Sequence, residues 1–392
     1  MRRVFFSKQK ATLRMILIGI VLTGILIVIP TGYEDAAIYK GTERVRAKVL
    51  STDESTVKSS GLIQSGEQYC KIKILDGMFK GKETKGVNML SGSLESDKMF
   101  ETGDVAQVVI SHKGDEILSV MMSDHFRLDK ELLLGAMFVV LLVLFAGKTG
   151  LRAVYSFVIT VLTIWKIMVP AYLEGVNPIW CGILITAFLT VLIIFLVYGF
   201  DRKTAAASSG ALLGVLMTCV IGCVFTDLFK IHGAVMSYSE SLLYAGYQDL
   251  NLTQIFMSGI FIGASGAMMD LAVDITSAVN EVIEKKPDIS WREAARSGMN
   301  VGRAAMGTMT TTLLLAYSGG YIALLMTFMA QGTPIDNILN YKYVSAEILD
   351  TIVGSFGLVT VAPFTAITSG ILLTAKKKKE REANAPKGIA AE

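Results

Sequence analysis

The chain has 392 residues, of which 52% are hydrophobic and only 18% charged, against about 25% charged in average soluble domains. Its net charge of +3 is too small to imply a nucleic-acid partner. No Gly-x-x-x-x-Gly-Lys-[Ser/Thr] loop occurs, which argues against ATP-driven work by this chain alone.

A helix needs about 20 mostly apolar residues to cross a hydrocarbon core of about 30 Å. The first apolar stretch, Met15 to Ile29, follows Arg2, Arg3, Lys8, Lys10 and Arg14. A cleaved leader has the same outline, but Pro30-Thr31-Gly32-Tyr33-Glu34 comes next with no small-x-small cleavage signature. A membrane anchor over residues 1–30 is therefore expected.

Residues 31–127 change character. Val45-Arg46-Ala47-Lys48-Val49 alternates as a half-buried strand does. Tyr69 to Leu75 repeats the pattern and ends at Asp76-Gly77, a turn signal. Val105 to Ile110 and Glu116 to Met121 add two more strands around Lys113-Gly114-Asp115. About five short strands predict a small all-β domain, a barrel or OB-like sheet. Its single cysteine, Cys70, excludes an internal disulfide, and His112 and His125 read as surface residues rather than ligands. The domain is expected to be a lid, spacer or protein-binding module, or else a substrate-delivery or sensing domain.

Seven further apolar stretches follow over residues 128–375: Leu132 to Ala146, Val154 to Val169, Pro178 to Tyr198, Ala205 to Phe225, Leu252 to about Ala272, Ala304 to Ala330, and Ile352 to Thr374. With the N-terminus inside, the inner loops carry Lys148 and Arg152, Arg202 and Lys203, then Lys285, Lys286, Arg292 and Arg296; residues 376–392 form a basic tail. The short outer loops hold only Lys230 and Lys342. The bias predicts an α-helical polytopic protein of the cell membrane with about eight transmembrane helices, both termini cytoplasmic and residues 31–127 extracytoplasmic. Ser290-Trp291-Arg292-Glu293 reads as a capping box that opens a short surface helix in the last inner loop.

The sixth and seventh spans carry polar residues. Gly263, Gly266, Asp270, Asp274 and Ser277 recur at three or four and share one helix face, as do Asn300, Arg303, Gly307, Thr311, Leu314 and Ser318. Gly259-x-x-x-Gly263 adds a packing signal. The expected arrangement sets stripe against stripe, with an Asp270–Arg303 or Asp274–Arg303 pair. At 1.5 Å per residue Asp270 lies roughly 27 Å from the outer start of its helix, near the inner interface. Asp270, Asp274, Asn300, Arg303, Thr308 and Thr311 are the candidate transport residues, either an ion pair fixing two helices or an ion-coupling site.

Glu347 and Asp350 read as markers of the outer interface, and Pro363 predicts a kink in the eighth span. Cys219 and Cys223, with Asp227, His232 and Cys181 nearby, offer soft-metal ligand types, but buried cysteine is more often a small apolar residue. No metal, cofactor or catalytic residue is expected. Asp270 and Asp274 sit a turn apart on one helix, unlike the facing carboxylates of an intramembrane aspartyl protease.

Arg296-Ser297-Gly298-Met299-Asn300-Val301-Gly302-Arg303, then Met306 to Met309 and Leu313 to Tyr317, together with Gly263 to Asp270, resemble the YibE/F family of bacterial membrane proteins. The likeness extends to Asp76-Gly77-Met78-Phe79-Lys80-Gly81, Asn88, Gly103-Asp104 and Asp124 to Arg127, as in the longer, YibE-type member; at Thr311 the family pattern would place asparagine. The resemblance implies a polytopic membrane protein discussed as a transporter. Besides the lipid bilayer, its expected partners are a shorter family member or a second copy in a homo-oligomer. A secondary transporter or permease is the leading expectation; a non-transporting envelope scaffold or sensor acting through the β domain is the alternative.

Overall fold

The computed structural model describes residues 2–33 and 41–384, with side chains over 15–33 and 41–375. It divides into two compact units, Gly32–Phe145 and the remainder.

Among the described residues the first of these holds six strands: β1 Thr42–Asp53, β2 Lys58–Ser60, β3 Ile63–Ile74, β4 Glu83–Ser91, β5 Val105–Lys113 and β6 Glu116–His125. Alternation decides which side is in: Val45, Ala47 and Val49 of β1 are buried while Arg46 and Lys48 between them are exposed. β1 pairs antiparallel with both β5 and β3, β3 with β4, and β5 with β6. A parallel β4–β6 contact at Val87 and Met121 completes the ring, so five strands make a closed barrel and β2 is a short addition to β3. Closure leaves these strands without a free edge. The core inside joins Val45, Ala47, Val49, Cys70, Ile72, Ile74, Ala106, Val108 and Ile110 to Phe79 and Phe100 from the loops. At the Asp76-Gly77 turn φ is +76°, and a Cβ on Gly77 would stand 2.3 Å from Glu43 Oε1. Only glycine fits there.

Helices α1 Arg2–Val28, α2 Leu128–Leu173, α3 Pro178–Tyr198, α4 Arg202–Leu228, α5 Leu252–Lys285, α6 Trp291–Ala330 and α7 Lys342–Asn384 account for most of the rest. Among the described residues six helices, α2 to α7, are long and apolar enough to cross a membrane; the apolar part of α1, Met15–Val28, is shorter. Two of the expected spans merge into α2, which breaks at Gly147, where φ is 55° and ψ −129°. On either side of that break, and in the other helices, each of the eight expected apolar stretches is helical.

Two boundaries differ from expectation. The capping box forms, Ser290 Oγ accepting from the Glu293 N–H at 3.3 Å and Glu293 Oε2 from the Ser290 N–H at 3.2 Å. It does not start a separate surface helix, however. Ala294, Ala295, Gly298 and Gly302 are buried in one line, so packing carries the helix straight into the seventh span. Helix α7 begins ten residues before the predicted Ile352, because Ala346 and Leu349 bury against Cys219, Ile260 and Phe261. It also runs through Pro363 as one helix.

The main helical core lies among α3 to α7: Ala211 and Val215, Ala264, Met268, Leu271 and Ile275, Ala294, and Leu358, Val361 and Ala362.

Candidate functional site

Helix α5 buries one side and opens the other. Ala264, Met268, Leu271, Ile275 and Val279 go into the core, and Gly259, Gly263, Gly266, Asp270, Asp274 and Ser277 are exposed. Helix α6 does the same, burying Gly298 and Gly302 and exposing Asn300, Arg303, Gly307, Thr308 and Thr311.

The contact between them is not the expected one. A Cβ on Gly298 would meet Val279 Cγ2 at 2.5 Å and Ile275 Cγ2 at 3.2 Å, and one on Gly302 would meet Ile275 Cδ1 at 3.0 Å. Apolar side chains of α5 thus lie on the bare backbone of α6, and Asp270, Asp274 and Arg303 turn outward instead of toward each other; of the α5 stripe Gly263 meets α6, its Cβ position 2.7 Å from the Tyr317 hydroxyl. Among the described residues neither Asp270 nor Asp274 forms an ion pair with Arg303. Burying the apolar side and leaving charge at the surface avoids the cost of desolvating an ion whose partner is imperfectly placed. Thr308 and Thr311 donate to their own helix, to Ala305 O at 3.0 Å and Gly307 O at 3.2 Å. On the other flank of the stripe Tyr198 donates to Val273 O at 2.6 Å, and its hydroxyl lies 2.6 Å from Ser277 Oγ.

A second polar group, read from the sequence as a marker of the outer interface, is sheltered by packing. Because α7 starts early, Glu347 and Asp350 stand inside it, one turn apart on one face, beside the buried Ala346, Leu349 and Val353. Tyr321 of α6 and, one turn before it, Tyr317 lie near both carboxylates. Glu347 Oε1 and Asp350 Oδ1 are shielded from solvent and have no hydrogen-bond partner. Buried polar atoms are nearly always satisfied, so two bare carboxylate oxygens in one place are an exception. The signal available in sequence was two one-turn spacings, Glu347-x-x-Asp350 at three residues and Tyr317-x-x-x-Tyr321 at four.

Cys219 and Cys223 share one packed cluster, and Cys181 lies in another. Cys181 packs with Tyr172, Ile185 and Leu189, while Cys219 joins Met257, Ile260 and Phe261. Among the described residues no group of three or more His, Cys, Asp or Glu is placed to hold a metal ion.

In the barrel unit an open cleft of about 630 Å³ is lined by Asp104, His125, Arg127, Lys130 and Glu131 among others. His125 Nδ1 stands 3.6 Å from Asp104 Oδ2, and Arg127 pairs with Asp124 at 3.0 Å. The hydrogen bond of Arg127 to Asp124 leads the causes that hold this carboxyl below the usual range, and burial opposes it.

Comparison with curated proteins and with solved structures found no match. A family model described as YibE/F-like protein matches residues 134–375. The barrel, with the likeness noted at Asp76 to Gly81, falls outside that span. The match covers more than half of the chain and includes α3 to α6 entire, the outward stripes and the Glu347–Asp350 pair, and the chain accordingly belongs to the YibE/F-like protein family.

Proposed function

We propose that this chain is a secondary transporter or permease of the bacterial cell membrane. Its termini are cytoplasmic, the barrel lies outside, and Glu347 and Asp350 form the ion-coupling group. The observation that carries this reading is the pair of sheltered carboxylate oxygens without partners beside Tyr317 and Tyr321. Acids within a membrane helix are costly, about 2.5–3.5 kcal/mol at mid-depth, and are typically kept for ion or proton pathways. A transported cation or a proton would supply the missing partner. Six long apolar helices, the basic loops read from sequence and the basic tail support the membrane setting. The stripe of Asp270, Asp274, Asn300, Arg303, Thr308 and Thr311 lies open, so coupling is assigned to the acids on α7 instead.

The test is flux in proteoliposomes holding the full-length chain, with proton or sodium movement followed as a panel of solutes is added. We expect solute-dependent ion movement that falls about tenfold or more in Glu347→Gln and in Asp350→Asn, and survives Asp270→Asn and Asp274→Asn. Full flux in both α7 variants would remove these acids from coupling; no movement above empty liposomes would count against transport itself.

The scaffold reading has its own support: the barrel has a complete core and a polar cleft of its own. In OB folds a comparable five-strand ring recruits ligands through its loops, and we read this barrel as OB-like from its β1-β5-β6-β4-β3 order and parallel β4–β6 contact. Stable capture of one specific envelope partner through the barrel by a chain inactive in flux would favour that role.

A further inference from the structure

The open side of α5 and α6 carries charges of both signs that no described residue answers with an ion pair. Asp270, Asp274 and Arg303 are exposed and, among the described residues, form no ion pair. Around them the surface is bare backbone: a Cβ built on Gly259, Gly266 or Gly307 would have no other heavy atom within 4 Å. At 1.5 Å per residue Asp274, level with Arg303, lies about 33 Å from Leu252, at the inner headgroup level, where a protein partner of opposite charge competes with water and lipid headgroups for it. Small residues on such a face let another helix come close.

The levels of these charges are fixed by the packing behind them. Val279 lies against Gly298 and Ile275 against Gly302, so α5 and α6 run antiparallel with Asp274 level with Arg303. Asp270 is one turn along, level with Gly307.

From this we infer that the Asp270–Asp274 side of α5 and the Arg303 side of α6 form the contact between two copies of this chain. The copies are related by a two-fold axis parallel to the helices, and Asp274 of one is set against Arg303 of the other. An isologous contact brings the same patch to itself. An axis along the helices keeps every residue at its own level, so acid and base of equal height meet across it, twice. An axis in the membrane plane would reverse one copy in the bilayer. A foreign helix would have to carry a base and an acid at the same spacing; a second copy already does. An anionic lipid headgroup would suit Arg303 but not the two aspartates beside it. The apolar helical segment 132–146 of the same chain brings no charge to either.

The test uses the full-length chain in native membranes, with Gly307→Cys as a cross-linking handle on this face. Its controls are the parent chain and Val220→Cys on the exposed side of α4. Gly307→Cys should give a cross-linked dimer and Val220→Cys should not. Asp274→Arg and Arg303→Asp, each added to that handle, should lower the dimer yield at least about fivefold by facing like charges, and the double exchange should restore it. Absence of a Gly307→Cys dimer would overturn the proposal. So would single exchanges without effect, failure of the double exchange in protein with the parent's thermal midpoint, or cross-linking to a cysteine placed within 132–146 of the same chain. A charge variant that fails to fold leaves the Gly307→Cys result on the unaltered face to decide.

Discussion

Gln68 and Asn88, both wholly buried, show how two amides hold a loop on the barrel. Gln68 accepts from the Phe100 N–H at 3.0 Å and donates to the Phe100 carbonyl at 2.8 Å, so one side chain fixes both backbone groups of that residue. Asn88 donates to Gln68 Oε1 at 3.1 Å and to Lys98 O at 2.6 Å. Together they dock the connection between β4 and β5, and Phe100 fills the core. Asn88→Ala leaves two buried acceptors short of a donor, a loss of about 1–3 kcal/mol, or roughly a 5- to 150-fold larger open population. Cys70 offers a reporter, since it is buried in the same core and burial pushes its thiol up to about 11. Thiol labelling of Cys70 at neutral pH should therefore be slow in the parent chain and speed up in Asn88→Ala by a factor in that range. An unchanged rate would mean the amide pair does not hold the barrel shut.

Among the elements, the α5–α6 contact turns on a missing side chain. A Cβ on Gly298 would sit 2.5 Å from Val279 Cγ2, so Gly298→Leu must push the helices apart, a strain of about 1–3 kcal/mol or more. Gly307→Ala enters open space and should be nearly neutral. Fluorescence of Trp291, at the start of α6, followed through thermal unfolding in detergent should show a lower midpoint for the first and little change for the second. Equal effects would mean the packing side has been misassigned. The same helices mark how far the sequence could be read. Apolar runs located every long helix but not the short ones at Ser239–Tyr244 and Ile335–Asn340, and spacing by three and four placed Asp270, Asp274 and Arg303 on continuous faces. Which way those faces turn was not readable, because glycines lie on both sides of α6, Gly298 and Gly302 on one and Gly307 on the other, and small size suits close packing on either. Hydropathy also misses helix ends: α5 runs on to Lys285 and α7 begins at Lys342, where hydrogen bonding and the burial of Ala346 and Leu349 outlast the apolar run. That shift sets Glu347 and Asp350, read as interface markers, inside a packed helix. In the barrel, β1, β3, β5 and β6 alternate plainly, but β4 turns Gly86 and Asn88 inward, and neither reads as a core residue.

At the scale of the molecule, the barrel has its own core and its own dependence on pH. Asp76 is raised by burial, but the Arg46 side chain and N–H, at 2.6 and 2.7 Å, outweigh that and bring it below the usual carboxylate value. Asp97 is held down chiefly by the Ser91 N–H, with Gly92 and Ser93 adding theirs; Asp124 is held down by Arg127. Each group is a stronger acid in the folded barrel than in the unfolded chain, so the unfolded state takes up protons first as pH falls. Their stabilisation is complete above the ordinary carboxylate pKa of about 4 and disappears as pH drops through the lower folded values. Hydrogen exchange in β1 and β3 of the full-length chain, corrected for the intrinsic rate, should therefore be constant from neutral pH to about 5 and faster below about 4. Asp76→Asn copies the protonated form and cannot lose that proton. It should exchange faster than the parent at neutral pH, and the two should converge in acid as the parent's Asp76 becomes protonated. Curves that stay parallel down to the lowest pH would show that the Arg46–Asp76 pair, which staples the Asp76-Gly77 turn to β1, contributes through shape alone and not through its charge.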